Sequence, residues 1–278
     1  MLSLISDDDI ARLRDDGFLL MRLPTAASAA LETAFAAALS FFRLPNAEKM
    51  RSRLPENRGY RPTGIEYSSS PEILDAMETF SASDRTEAAA NSLPSAKARL
   101  LHEKAMAARD VLEPIAEEFA TQLARASRGE PPHVDFRGAF RRWSEVQLNY
   151  ALPMTDVEFI NEAHEDGTLV TIGCATRPAF EMRTRAGAFV PLTASPPEVI
   201  IMPGAIAALL SGGFVQPLYH RVRRTSACLE RMALLFNGDI DPRLCSPWVK
   251  NEMNAGVDIG SRVLTNASHY GITPFKPE

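Results

Sequence analysis

Cysteine is scarce in this 278-residue chain, and its three copies, Cys174, Cys228 and Cys245, stand far apart with no CxxC or CxxH spacing. Neither a disulfide framework nor a thiolate zinc site is indicated, and a reducing, cytoplasmic setting fits. An excess of positive charge is also lacking. The formal net charge is −5, and the basic residues are scattered apart from pairs such as Arg141-Arg142 and Arg223-Arg224. Without a cationic field to hold phosphates, no nucleic-acid partner is expected. No unbroken run of about 18 apolar residues occurs. The N-terminus runs into Asp7-Asp8-Asp9 instead of passing from a basic start to an apolar stretch. Neither a membrane span nor an export signal is expected. What is present is 45% hydrophobic and 23% charged residues, enough for a full core and incompatible with disorder as the main state.

Local signals divide the chain into a helical first half and a β second half. Ser6 before Asp7, Asp8 and Asp9 reads as an N-cap, and Gly17 stops that helix. Gly17 to Arg22 reads as a short strand, and Thr25 opens an alanine-rich helix ending near Phe41-Phe42-Arg43-Leu44-Pro45. Residues 51 to 74, rich in Arg, Pro, Gly, Ser and Tyr, read as an extended loop. Ser95 caps a long helix whose stripe of Leu101, Ala105, Ala108, Leu112, Ile115, Phe119 and Leu123 steps by three and four. From residue 139 alternation takes over, with Val146, Leu148 and Tyr150 between Glu145, Gln147 and Asn149. No linker composition separates the halves. One domain is expected, with a mostly helical region over 1–138, a β core over 139–250 and a C-terminal extension over 251–278.

Histidine, present five times, is rare enough for each copy to be weighed. With five histidines and 35 acids in 278 residues, chance alone gives about 0.6 His-x-acid matches. Two occur. His133-Val-Asp135 follows the turn Gly129-Glu-Pro-Pro and reads as an exposed loop. His164-Glu-Asp166 precedes Gly167-Thr-Leu-Val-Thr-Ile, so positions i and i+2 at a strand start point into the same space. His220, in Tyr219-His-Arg-Val222, offers a third ligand from a distant strand. Two imidazoles and a carboxylate on one face of an octahedral ion leave positions open for O₂ and a co-substrate, as Fe(II) oxygenases require. A zinc hydrolase and satisfied core histidines remain open on these residues alone. His102 lies off the helix stripe and reads as solvated, and His269 reads as surface or pocket rim.

Several segments in order carry a family likeness. They are Asp16-Gly-Phe18, Phe41 to Pro45 with Glu48-Lys49, Arg58-Gly-Tyr60, Asp75-Ala-Met-Glu78-Thr-Phe80 and Leu148-Asn-Tyr150. After them come His164-Glu-Asp166, Met202-Pro-Gly204, His220-Arg-Val222 and Arg231. Over nearly its whole length the chain resembles the isopenicillin N synthase-like family of non-haem Fe(II)/2-oxoglutarate dioxygenases. The resemblance implies a mainly β, α+β fold, a double-stranded β-helix or jelly roll packed on a long helix. It implies Fe(II) on His164, Asp166 and His220, and 2-oxoglutarate contacting Arg231 and Asn149. A guanidinium fork matches a carboxylate independently of any family, and Arg231 opens the strand in which Ala233 and Leu235 share its side.

Two positions depart from the family pattern. Arg231-Met-Ala233 stands where Arg-x-Ser is usual, and Asn149-Tyr-Ala151 where a second tyrosine often follows. At about 1 kcal/mol per neutral hydrogen bond, the two losses weaken 2-oxoglutarate roughly thirty-fold. The expected activity is oxidation of a small organic substrate by O₂ and 2-oxoglutarate. The alternatives are a 2-oxoglutarate-independent oxidase or cyclase of the same fold, and a non-catalytic binding or sensor protein. Candidate substrate residues are Tyr60, Arg61, Phe80, Arg142, Gln147 and Phe236, with Asn149 also polar on the pocket side of its strand.

Overall fold

The computed structural model describes residues 4–54, 58–129, 134–152, 157–224 and 230–270, the Ser268 side chain excepted. Helix α1 (Asp7–Asp16) starts in a capping box between Ser6 and Asp9 and ends at Gly17, whose φ of +85° a side chain would resist. Strand β1 (Leu19–Arg22) and helix α2 (Thr25–Phe42) follow as expected. With a mean hydropathy of 1.3 over 18 residues, α2 is apolar enough to cross a membrane by length and composition. Its Leu31, Ala34, Ala38 and Phe41 are instead buried in the protein. After helix α3 (Asn46–Met50), the expected loop over 51 to 74 is corrected in part. It contains β2 (Arg53–Leu54) and β3 (Arg58–Arg61), and β3 is paired with β4 (Glu78–Ala82).

Beyond the short α4 (Glu87–Ala90), helix α5 (Ala96–Arg128) spans 33 residues and lays its stripe against α2 and the sheet. Leu101, Ala105, Ala108, Leu112, Phe119 and Leu123 are fully buried. His102 is not solvated as its place off the stripe suggests. It is buried, with Nε2 2.9 Å from Thr86 Oγ1, because α4 and the turn before it cover that flank of α5. Burial and the Arg109 charge push its pKa down to about 4.

The β half runs β5 (Ser144–Ala151), β6 (Phe159–His164), β7 (Val170–Ala175), β8 (Phe180–Arg183), β9 (Phe189–Pro191) and β10 (Glu198–Pro203). Helix α6 (Ala205–Leu210), β11 (His220–Arg223), β12 (Arg231–Gly238) and α7 (Ile259–Thr265) complete it. One antiparallel sheet has the order β1-β10-β7-β12-β5-β4-β3-β2, and a second the order β6-β11-β8-β9. Directly opposed residues share a face, so register sorts the large sheet cleanly. Phe80, Leu148, Leu234 and Cys174 look to the helices, while Thr79, Asn149, Ala233 and Ala175 look the other way. That second face meets the small sheet. Ile200 and Met202 of β10 pack with Phe180 and Met182 of β8, which closes a jelly-roll core.

Candidate metal centre and its two cavities

His164 ends β6 and His220 opens β11, and the register sets them opposite each other. Their rings therefore meet, with centroids 4.4 Å apart. Asp166, in the turn after β6, places Oδ1 3.6 Å from His164 Nε2 and 3.8 Å from His220 Nε2. One ligand atom from each residue lies within 4.8 Å of the others, separations that suit a single shared cation. The backbone fixes which nitrogens face it. Nδ1 of His164 donates to Glu162 O at 2.7 Å and Nδ1 of His220 to Leu218 O at 2.9 Å, so each Nε2 lone pair is left for a metal. Burial, with His220 beside it, holds His164 below the ordinary imidazole range, in the neutral form a ligand needs.

The turn carrying Asp166 is clamped from two sides. Ala205 N–H donates to Asp166 O at 2.8 Å and Gly204 N–H to Leu169 O at 3.2 Å. A Cβ on Gly204 would overlap Thr168 O and stand 2.7 Å from Asp166 O, which explains the glycine of Met202-Pro203-Gly204. On the other side Tyr270 Oη donates to Glu165 O at 2.9 Å. Asn266 fills the space a Gly167 side chain would occupy, which accounts for the abrupt Asp166-Gly167 step.

Two cavities adjoin the centre and share Leu235 in their walls. The smaller, about 390 Å³, is lined by Arg231, Ala233, Phe180 and Met202. Phe180 stacks on the His220 ring with centroids 4.9 Å apart. Arg231 is 5% exposed and its Nε donates to Arg177 O at 3.3 Å. No carboxylate among the described residues pairs with Arg231, and burial alone pushes its pKa down to about 10. The larger cavity, about 830 Å³ and open to solvent, is lined by His164, Asp166, Gln147, Asp75, Met77 and Tyr270, among others. Burial pushes Asp75 up to about 6, against hydrogen bonding from Ser68.

The structure brings together His164, Asp166 and His220, turns Arg231 into one cavity and sets Gln147 in the wall of the other. Asn149 stands on the same face opposite Ala233 and accepts from Gln147 Nε2 at 2.9 Å. Arg61 is buried behind the wall, held by Glu66 at 2.6 Å, Ser81 at 2.8 Å and Gln147 at 3.2 Å. The expectation of substrate contact is corrected for four residues. Tyr60 and Phe80 pack edge-on to Phe41, and Phe236 lies against Phe140, all on the helix-facing side of the sheet. Arg142 is exposed in the turn before β5 and borders a separate surface depression near Asp241. His269 is exposed, and His133 lies outside the described residues. Sequence reasoning missed Asp75 as a wall residue, Phe180, Asn266 and Tyr270. Asp75 stands out in retrospect as an acid in an apolar approach to β4, whereas nothing local marks the other three.

In sequence, no family model and no curated protein matches the chain. Solved structures do. A full-length Neurospora crassa protein, in complex with alpha-KG and thymine, superposes with a TM-score of 0.73 at 16% identity, over 94% of this chain and 90% of that one. The dioxygenase for auxin oxidation of rice gives 0.63 at 21% identity, over 83% and 77%. The Arabidopsis thaliana dioxygenase for auxin oxidation 1, in its 2-oxoglutarate complex, gives 0.63 at 19%, over 86% and 92%. The chain thus has the isopenicillin N synthase-like fold of the 2-oxoglutarate/Fe(II) oxygenases, the α+β jelly roll that the sequence resemblance implies.

Proposed function

We propose that this protein is a non-haem Fe(II) dioxygenase that uses 2-oxoglutarate and O₂ to oxidise a small organic substrate. The observation that carries the reading is the pairing of an open-faced His164/Asp166/His220 triad with a buried guanidinium, Arg231, that has no anionic partner among the described residues of the adjoining cavity. When bound, iron and 2-oxoglutarate supply an oxidant strong enough for an unactivated C–H bond. The chain's own part is to hold and orient. His164 and His220 present Nε2 atoms on rings held in place by carbonyls, and Asp166 adds the charge that favours a divalent cation. Arg231 receives a carboxylate at the far end of its cavity, where loss of water strengthens the pair. Phe180 on His220, with Met77, Ile160 and Val222 close by, keeps that side of the centre dry.

A second reading draws support from Ala233 and Ala151, which bring no hydroxyl to the Arg231 end of the barrel. In it the fold serves an oxidase that takes all its electrons from substrate, and Arg231 pairs with a substrate carboxylate. Anaerobic titration of the Fe(II)-loaded protein with 2-oxoglutarate separates the two. The first reading expects a saturable metal-to-ligand absorption band and, with O₂, succinate formation. Absence of both at millimolar 2-oxoglutarate leaves the second.

A further inference from the structure

The larger cavity has a lopsided charge inventory. Among its described lining residues the one permanent cation is Arg58, and it is already paired with Glu145. Carboxylates are more numerous, and most are committed. Glu66 receives Arg61 at 2.6 Å, and Asp166 belongs to the metal. Asp239 is turned to the backbone N–H of Leu169, at 2.8 Å, and to the Asn266 side chain. Asp75 and Asp239 both lack a cation among the described residues, but Asp239 is held by a backbone N–H, whereas the carboxyl of Asp75 accepts from side chains alone. Asp75 is 5% exposed and accepts from Ser68 Oγ at 2.8 Å and from Asn161. Its segment is fixed in place, because Asp75 N–H donates to Glu66 O and Ala76 N–H to Ile160 O, both at 2.9 Å.

The cavity wall mixes apolar and aromatic side chains, Met77, Leu235, Val263, Trp143 and Tyr270, with uncharged polar ones such as Ser68, Gln147 and Asn266. An anionic substrate finds no counter-ion here. Nor does the loaded centre of the proposed function supply one, since a ferrous ion, Asp166, a 2-oxoglutarate dianion and Arg231 sum to zero formal charge. A buried carboxylate without a cation is costly, and a ligand ammonium that pairs with it offsets that cost.

From this imbalance we propose that Asp75 is the specificity-determining residue of the substrate cavity, and that the substrate is a small organic amine. Its protonated nitrogen rests on Asp75, and its apolar body spans the space to the metal ligands His164 and Asp166. The inference deepens the proposed function and rests on that reading of the site.

The test compares matched ligands that differ in the sign of their charge: phenethylamine against hydrocinnamate, and cyclohexylmethylamine against cyclohexylacetate. Binding is followed by calorimetry at neutral pH, with and without Fe(II) and 2-oxoglutarate. The amines are expected to bind about tenfold or more tightly than their acid partners, the scale of one charged hydrogen bond. Asp75→Asn is expected to erase the preference while leaving the metal-to-ligand band unchanged. Acids that bind as well as amines, no binding by either series, or a preference that survives Asp75→Asn would each overturn the proposal. The wild-type comparison decides the matter even if the variant folds poorly. Failure of the absorption band to form is a separate outcome that removes the oxygenase reading, and calorimetry on the metal-free protein still decides the charge preference.

Discussion

At the scale of single residues, a guanidinium stripped of water and left without a carboxylate weakens the empty protein and waits for an anion. Among the described residues Arg231 is in that position, so its two effects separate by sign. Arg231→Met is expected to leave the ligand-free protein as stable as wild type or more so by chemical denaturation. The same variant is expected to weaken 2-oxoglutarate by about 10- to 100-fold in the titration described above. Equal loss of stability and affinity would mean that Arg231 holds the fold together and does not receive the ligand. Ala233 lines the same cavity, and Ala233→Ser is expected to tighten 2-oxoglutarate by about fivefold, one neutral hydrogen bond. Unchanged affinity would show that the missing hydroxyl is not what this barrel lacks. The inward aim of Arg231 is legible in the sequence, because a two-residue period on β12 ties it to Ala233 and Leu235. That period turns Phe236 outward, so its place among the core residues was equally decidable. Tyr60 and Phe80 were not, since β3 and β4 are buried on both faces and polarity does not tell one from the other.

Elements meet at the metal turn through two glycines, and the obstacle each faces sets a different penalty. Beside Gly204 lie main-chain oxygens of Thr168 and Asp166, which are fixed by the clamp itself. Beside Gly167 lies the end of one side chain, Asn266. Gly204→Ala is therefore expected to cost at least about 3 kcal/mol, with loss of Fe(II) binding. Gly167→Ala should cost about 1–2 kcal/mol in the wild-type background and much less in an Asn266→Ala background, where the obstacle and the bond from Asn266 to Asp239 are already gone. Thermal melts and metal titrations of the two glycine variants, Asn266→Ala and the double variant check this, and similar penalties for the two glycines would mean the turn yields more easily than these contacts imply. The sequence showed where α1, α2 and α5 begin and which side α5 buries, because boundary residues and helical stripes are local signals, although only Ser6 of α1 makes a side-chain cap and the expected cap by Ser95 does not form. It hid β2 and β3, whose strand character comes from pairing with each other and with β4, and it hid the seal by Asn266 and Tyr270, which depends on how the last helix docks. The triad was readable for the opposite reason. His164 and Asp166 sit two apart at a strand boundary, and only His220 required a long-range match.

For the molecule as a whole, stability against pH is set by buried groups that pull in opposite directions. Burial raises Asp239 to about 7, although the Leu169 N–H and Asn266 lower it. The native state thus keeps a proton that the unfolded chain, with an ordinary carboxyl near 3.8, has released. That contribution is complete below the unfolded value and is lost as pH rises from about 4 to 7. His102 works the other way. Burial lowers it to about 4, so the unfolded chain takes up a proton near 6.5 that the native state refuses, and stability is lost as pH falls from about 6.5 to 4. Each group alters the slope by up to about 1.4 kcal/mol per pH unit within its window. In metal-free protein unfolded by denaturant between pH 4 and 6, Asp239→Asn is expected to make the slope of stability against pH more positive, and His102→Gln to make it more negative. Each removes one buried proton difference while keeping a hydrogen-bonding side chain. Shifts of the same sign in both variants, or none in either, would mean that these two groups are solvated in the native state and that neither is the buried titrating site its surroundings make it.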